Sequence, residues 1–282
     1  MLRDYLTLTK PKITLLNILT AVSAYLLAGG YGIPLLFLVL VGFLSVGGAS
    51  ALNHYLDRRL DGMMRRTSKR PLVVGKIRPA WKALAVGFSM VGLSSLISIF
   101  LLNIPVTIFS LLGVAVYMFY TVILKRRTVW NIVIGGLAGS FAPLAGWAAH
   151  AGGVSAPSIL LAILVFLWTP GHFWALALRA ARDYRSAGIP MLPVVASSLV
   201  TGSAIVISNV LSVAVAVALI FFLPSPVSYL LVVMPPSAWL IWESFRLSRN
   251  VTADAGWRLF KISSPWLAVV FSASLLHLLI GI

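Results

Sequence analysis

The chain has 282 residues, of which 60% are hydrophobic and only 10% are charged, with a mean hydropathy of +1.00. A soluble domain carries about 25% charged residues, so this composition predicts a polytopic membrane protein and excludes a soluble one. The absence of cysteine excludes disulfides, thiolate metal sites and a cysteine nucleophile. The net charge of +16 does not indicate a nucleic-acid partner, because the basic residues are placed as membrane topology requires.

Nine apolar runs follow one another along the chain, each close to the roughly 20 residues that a spanning helix needs. They predict an all-α protein with nine transmembrane helices in a single integral-membrane domain, residues 1–282. The runs are Ile13–Gly30, Pro34–Leu56, Ala83–Leu102, Pro105–Leu124, Trp130–Ala149, Pro157–Leu178, Gly202–Phe222, Val227–Trp242 and Ser264–Ile282. Since eight similar runs follow the first, we interpret the first as an uncleaved helix rather than a signal peptide.

The connections between these runs differ sharply in charge. Four connections carry essentially no charge, and all 22 Lys and Arg residues lie in the N-terminal tail, in the other four connections or at the helix ends beside them. Because basic residues in short loops mark the cytoplasmic side, we predict a cell-membrane protein with a cytoplasmic N-terminus and an outer C-terminus. The two large connections, Asp57–Lys82 and Arg179–Thr201, would then share the cytoplasmic side.

Three polar residues at helical spacing lie where the second run passes into the first of these connections. Asn53, Asp57 and Asp61 stand at i, i+4 and i+8, so their side chains would share one helix face, with Cβ atoms about 5–6 Å apart. Two carboxylates at this spacing repel each other. A divalent cation such as Mg²⁺ bound between them would replace this repulsion by attraction to the ion. The ordinary alternative is a helix ion pair between Asp61 and Arg65, in a basic loop that serves only as a topology signal.

The basic residues that follow could hold phosphate groups. They are Arg65, Arg66, Lys69 and Arg70.

A second polar group lies at the end of the sixth run. His172 stands inside the apolar run, beside Pro170 and Gly171, which loosen a helix locally. An ionisable residue within a membrane span marks a functional site by default, and the alternative is a neutral histidine bonded to a neighbouring helix. Asp183 follows eleven residues later, where a local ion pair with Arg182 or Arg185 is the alternative.

Several motifs resemble a known family. The spacing Asn53-x3-Asp57-x3-Asp61 resembles the first aspartate-rich motif of the intramembrane prenyltransferases of the UbiA superfamily. A narrower likeness, to the branch whose members farnesylate heme, rests on four further segments: Asp61–Leu72, Tyr120–Asn131, Trp168–Ala177 and Asp183–Pro193. Two positions depart from the pattern. Gly171 stands where that branch often has a second proline, and Ala187 stands where the wider superfamily has a second aspartate, which leaves the number of metal ions open.

The resemblance implies helices around a central cavity that opens to the membrane. It also implies transfer of a farnesyl group from farnesyl diphosphate to a vinyl group of heme b, with addition of water, to give heme O. Mg²⁺ is the implied cofactor, and the partners are the two substrates, the lipid bilayer and, downstream, heme-handling or terminal oxidase proteins. The implied catalytic residues are Asn53, Asp57, Asp61 and Asp183; the metal ligands are Asp57, Asp61 and Asp183; the diphosphate-binding residues are Arg66, Lys69, Arg70, Lys125 and Arg126; and His172 would bind heme.

Two other readings stay open at this point. Another member of the superfamily would attach a prenyl chain to an aromatic acceptor such as 4-hydroxybenzoate, and the first acidic motif does not distinguish it. A transporter or a structural membrane subunit would account for the helices, but not for acidic and basic clusters on one side of the membrane.

The charge distribution yields a test of topology. Reporter fusions placed after Gly153 and after Arg70 should report opposite sides of the membrane, because the first lies in an uncharged connection and the second in a basic one. Fusions that report the same side would contradict the nine-span arrangement.

Overall fold

The computed structural model describes residues 2–276 and 278, and over these residues its regular secondary structure is helical. Nine helices in this part of the chain are 17 residues or longer, and we number them α1 to α9. They are α1 Pro11–Leu27, α2 Ile33–Leu56, α3 Trp81–Leu101, α4 Ile104–Val122, α5 Asn131–Ala151, α6 Ala156–Arg179, α7 Ser198–Ala218, α8 Pro226–Arg249 and α9 Ala253–Ala273.

Short helices occupy the ends and connections. Leu2–Leu8 precedes α1, Arg58–Met63 follows α2, and Ala181–Ser186 and Leu192–Val195 follow α6. Two short 3-10 helices, Leu124–Arg126 and Leu219–Phe222, extend α4 and α7.

The nine predicted runs all fall on these long helices, but not all of the helices have the same character. Within the described residues, six helices are long and apolar enough to cross a membrane: α2, α3, α4, α5, α6 and α7. Helix α1 is apolar but has only 17 residues, and α8 and α9 carry charged turns. The count of nine spans therefore stays a prediction for these three helices.

The boundaries of α8 and α9 differ most from the prediction. Helix α8 runs seven residues past Trp242, and α9 begins at Ala253, eleven residues before the predicted start. The hydroxyl of Thr252 caps α9 by accepting the backbone N–H of Ala255 at 3.2 Å. Hydropathy identified only the apolar part of each helix, whereas hydrogen bonding continues into the charged turns. The predicted end of the last run, 279–282, lies outside the described residues.

Helix packing brings the first and last long helices of the chain into contact. Helix α2 packs against α1, α3 and α4, helix α6 packs against α5, α7 and α9, and α9 also contacts α1. The largest buried cluster lies in the second half of the chain and includes Trp168, Trp174, Tyr229, Trp266 and Phe271. The packing of α2 and α6 matters for the site because the two large connections begin where these helices end.

Small residues let some helices approach closely, as is common in membrane bundles. A Cβ placed on Gly146 of α5 would lie only 1.9 Å from the backbone oxygen of Ala21 in α1. The contact between α1 and α5 therefore requires glycine at this position.

We expect Gly146→Ala to destabilise the protein by about 1–3 kcal/mol, the usual range for overpacking. Gly92→Ala is the matched control, since a Cβ on Gly92 of α3 would meet nothing within 4 Å. Thermal unfolding of the two purified variants in detergent would measure the difference. Equal unfolding temperatures would contradict the close approach of α1 and α5.

Candidate active site

The first acidic motif spans the junction between α2 and the short helix Arg58–Met63. The N–H of Asp57 donates to the carbonyl of Asn53 at 2.9 Å, and the N–H of Asp61 donates to the carbonyl of Asp57 at 2.8 Å. Helical hydrogen bonding therefore continues through the junction and keeps the three side chains one turn apart. All three residues are buried, with at most 3% of their surface exposed.

Each buried carboxylate is paired with a cation from elsewhere in the chain. Lys125 Nζ lies 2.5 Å from Asp57 Oδ2, and Arg70 Nη1 lies 2.6 Å from Asp61 Oδ2. The amide of Asn53 also donates to Asp57 Oδ2, at 2.9 Å. The alternative ion pair between Asp61 and Arg65 is therefore wrong. The short helix ends at Met63, and the following loop returns Arg70 to the carboxylate.

Lys10, for which the sequence predicted no role, also lies in this cluster. Its ammonium donates to Asn53 Oδ1 at 2.6 Å and to the hydroxyl of Tyr117 at 2.9 Å. Burial, followed by the neighbouring charges of Arg70 and Lys125, lowers the pKa of Lys10 to about 7. Lys10 immediately precedes α1, so it connects the start of the chain to the end of α2.

Helix α4 and the short 3-10 helix that follows it present a matching row of side chains. Tyr117, Thr121 and Lys125 stand at i, i+4 and i+8, the same spacing as the acidic motif. Asn53 Nδ2 donates to Thr121 Oγ1 at 3.0 Å, one turn from the contact between Asp57 and Lys125. The spacing of these three residues could have been recognised in the sequence, but a role was predicted only for Lys125.

Asp183 joins the two large connections. Its carboxylate accepts the backbone N–H groups of Arg65 at 3.2 Å and Arg66 at 3.0 Å. Nearby, the hydroxyl of Ser186 donates to the carbonyl of Met63 at 3.3 Å. Within residues 2–276 and 278, no group of three or more His, Cys, Asp or Glu side chains is placed to hold a metal ion. The metal role of Asp183 thus stays a prediction, and its observed contacts are with the backbone of the first loop.

The other predicted phosphate-binding residues lie near the surface. Arg66, Lys69 and Arg126 are exposed. Arg66 Nη2 lies 3.4 Å from the hydroxyl of Tyr184, whose pKa is raised by burial. The structure thus brings Asp57, Asp61, Arg70 and Lys125 together in one cluster, whereas Arg66, Lys69 and Arg126 are exposed.

His172 lies apart from this cluster, within α6. Its ring is stacked between Trp168 and Phe260, with centroid distances of 4.4 Å to each, and its Nδ1 is 2.6 Å from Ser263 Oγ on α9. The interhelical hydrogen bond that was the alternative for this residue is therefore present. The contact fixes the ring and leaves Nε2 as the nitrogen available to a ligand.

The loosening predicted at Pro170 and Gly171 is visible beside this histidine. The N–H of Gly171 donates to Ser208 Oγ of α7 at 2.8 Å, and Ser208 in turn donates to the carbonyl of Leu167 at 2.5 Å. A hydroxyl of a neighbouring helix is thus inserted into the hydrogen-bond ladder of α6, one residue before His172.

Comparison with known proteins identifies the same family that the sequence motifs resemble. The family model described as the UbiA prenyltransferase family matches residues 17–265. A protein named protoheme IX farnesyltransferase from Sulfolobus acidocaldarius is 41% identical over 98% of this chain and 96% of its own length. One of the same name from Metallosphaera sedula is 43% identical over 98% and 96%.

Solved structures share the fold at low sequence identity. A UbiA homolog from Aeropyrum pernix K1 superposes with a TM-score of 0.75 at 19% identity, covering 95% of this chain and 98% of that one. A UbiA homolog from Archaeoglobus fulgidus, bound to GPP and Mg²⁺, gives a TM-score of 0.69 at 16% identity, covering 96% and 99%.

The contacts of Asp183 yield a test of its position. Asp183→Ala removes both acceptors for the backbone of Arg65 and Arg66. We expect trypsin to cleave after these residues at least about tenfold faster, since a single hydrogen bond to a charged group contributes about 1.5–3 kcal/mol. Asp254→Ala is the control, because Asp254 is an exposed acid paired with Arg179 at 2.7 Å. Unchanged cleavage in Asp183→Ala would contradict this role in holding the loop.

Proposed function

The chain belongs to the UbiA prenyltransferase family, and we propose that it transfers a farnesyl group from farnesyl diphosphate to a vinyl group of heme b. Addition of water completes the reaction, and the products are heme O and diphosphate. The observation that carries this proposal is the 41–43% identity, over nearly the full length, to proteins named protoheme IX farnesyltransferase.

The buried cluster is suited to bind a diphosphate and to stabilise its departure. When the bond between the allylic carbon and oxygen breaks, negative charge accumulates on the diphosphate and an allylic cation remains. Lys125 and Arg70 are already held in place beside the carboxylates, and Lys10 lies one side chain away. Preorganised donors of this kind lower the barrier because they need no rearrangement as charge develops.

The carboxylates in this cluster fit a magnesium site. Mg²⁺ is commonly bound by one or two carboxylates together with substrate phosphates, and Asp57 and Asp61 are two buried carboxylates one helical turn apart. These two residues would hold the ion, and bound Mg²⁺ supplies positive charge that stabilises the leaving diphosphate. Asp183 is the proposed third ligand, and its carboxylate also accepts the backbone N–H groups of Arg65 and Arg66.

The acceptor would lie deeper in the helix bundle than the diphosphate. The allylic carbon bonds to the terminal vinyl carbon of heme b and leaves a cation beside the porphyrin ring. Water then adds to that cation and loses a proton. None of these steps needs a nucleophilic side chain. His172 lies on α6 before the helix reaches the second loop, and in the proposal it contacts the heme through Nε2, with the ring held by Ser263.

The protein is a multi-pass membrane protein. The orientation with both large connections in the cytoplasm is part of the proposal, and it places the basic site where soluble Mg²⁺ is present. Heme-handling or terminal oxidase proteins are the proposed recipients of the product.

The decisive experiment incubates the purified protein with heme b, farnesyl diphosphate and Mg²⁺ and measures the mass of the recovered heme. We expect a heme heavier by one farnesyl group and one water. Transfer to 4-hydroxybenzoate in place of heme would instead identify a different member of the family.

In the same assay, Asp57→Asn and Asp61→Asn should each lower turnover by about a hundredfold or more, the size typical of losing one preorganised stabilising group. Asp254→Asn, a change to an exposed acid outside the cluster, should leave turnover unaltered. Thermal unfolding would verify that the variants remain folded.

Turnover that survives complete chelation by EDTA would exclude the divalent metal.

The role of His172 is tested by titrating heme into two variants. His172→Ala should weaken heme binding and shift the absorption bands of bound heme, while binding of farnesyl diphosphate stays nearly unchanged. Ser263→Ala is the matched variant, because it removes the interhelical hydrogen bond but keeps the imidazole. If His172→Ala lowers only thermal stability and leaves the heme spectrum as in the wild type, His172 serves helix packing alone.

A further inference from the structure

A groove of about 510 Å³ lies between α8 and α9, away from the buried carboxylate cluster. Its apolar part is lined by Pro236, Trp239, Ile262, Pro265, Trp266 and Val269. Proline in a helix removes a backbone hydrogen bond and disturbs the regular packing surface, and both helices carry proline at this level: Pro235 and Pro236 in α8, and Pro265 in α9.

One end of the groove is charged. Glu243, with 6% of its surface exposed, lies 3.3 Å from Arg246 Nη1 and 3.8 Å from Arg258 Nε. Lys261 also lines this end, and its ammonium lies 5.9 Å from the ring centroid of Trp257. Two cations, Arg258 and Lys261, and one carboxylate line this end of the groove, so it carries a net positive charge.

The dimensions of the groove match one leaflet of a bilayer. From Arg258 to Val269 the rise along α9 is about 16 Å at about 1.5 Å per residue, and half of the hydrocarbon core is about 15 Å thick. The charged end lies beside the connection between α8 and α9, and the apolar end lies near the middle of α8 and in the C-terminal half of α9. A ligand that fills the groove therefore needs an anionic head and one apolar chain of roughly this length.

We propose that this groove binds one anionic phospholipid of the surrounding leaflet. The lipid phosphate contacts Arg258 and Lys261, and an acyl chain lies between α8 and α9 against Trp239 and Ile262. Glu243 holds Arg258 at the mouth of the groove. The site is separate from the proposed reaction and does not depend on it.

Native mass spectrometry of the full chain, released from nanodiscs of equal parts phosphatidylglycerol and phosphatidylcholine, tests this. The wild type should retain one phosphatidylglycerol in preference to phosphatidylcholine. Lys261→Gln should weaken that retention about fivefold, the order expected for one basic residue at an anionic surface. Val269→Trp should weaken it by filling the apolar part of the groove. Lys82→Gln, on an exposed lysine of α3 outside the groove, should retain the lipid as the wild type does.

Three results would overturn the proposal. They are equal retention of the two lipids by the wild type, wild-type retention by Lys261→Gln, and displacement of the lipid by free diphosphate, which would identify a soluble phosphate compound as the occupant. If Val269→Trp does not fold, Lys261→Gln and its control decide alone.

Discussion

Two buried carboxylates at the end of one helix impose the arrangement of the whole site. A charge removed from water is costly unless it is paired, so Asp57 and Asp61 each require a cation close by. The cation of Asp57 is Lys125, in the 3-10 helix after α4, and the cation of Asp61 is Arg70, in the loop after its own short helix. Asn53 accepts a hydrogen bond from Lys10, and this contact holds the start of α1 beside the cluster. Three separate parts of the chain are thereby fixed around one end of α2.

The same ion pairs make the cluster suitable for binding a diphosphate together with a metal ion. Before any ligand binds, the carboxylates and cations of the cluster neutralise each other. In the proposed complex the carboxylates bind the divalent metal and the cations bind the diphosphate. The net charge of the cluster then changes little when both ligands bind, which limits the electrostatic cost of taking a highly charged substrate into a membrane protein. Asp183 completes the frame from the second loop by holding the backbone next to Arg66.

The sequence predicted some of these features better than others. The predicted run Pro34–Leu56 nearly coincides with the helix Ile33–Leu56, because apolar length reports a spanning helix well. The partner of Asp61 could not be predicted, since Arg70 lies nine residues away and reaches it only through the path of the loop. Lys10 was missed because nothing local indicates that α1 begins beside α2. The row at Tyr117 could have been found, because it repeats the spacing of the acidic motif.

The ion pairs of Glu243 with Arg246 and Arg258 bear on how the last two helices enter the membrane. A charged residue within a spanning segment disfavours insertion by about 2.5–3.5 kcal/mol on the translocon scale, and both α8 and α9 carry such residues. Glu243 pairs with Arg246 within α8, but its contact with Arg258 of α9 forms only when both helices are present. If α8 and α9 span the membrane as predicted, they therefore gain from insertion together as a helical hairpin, with the charged turns at the membrane surface and the apolar parts inside.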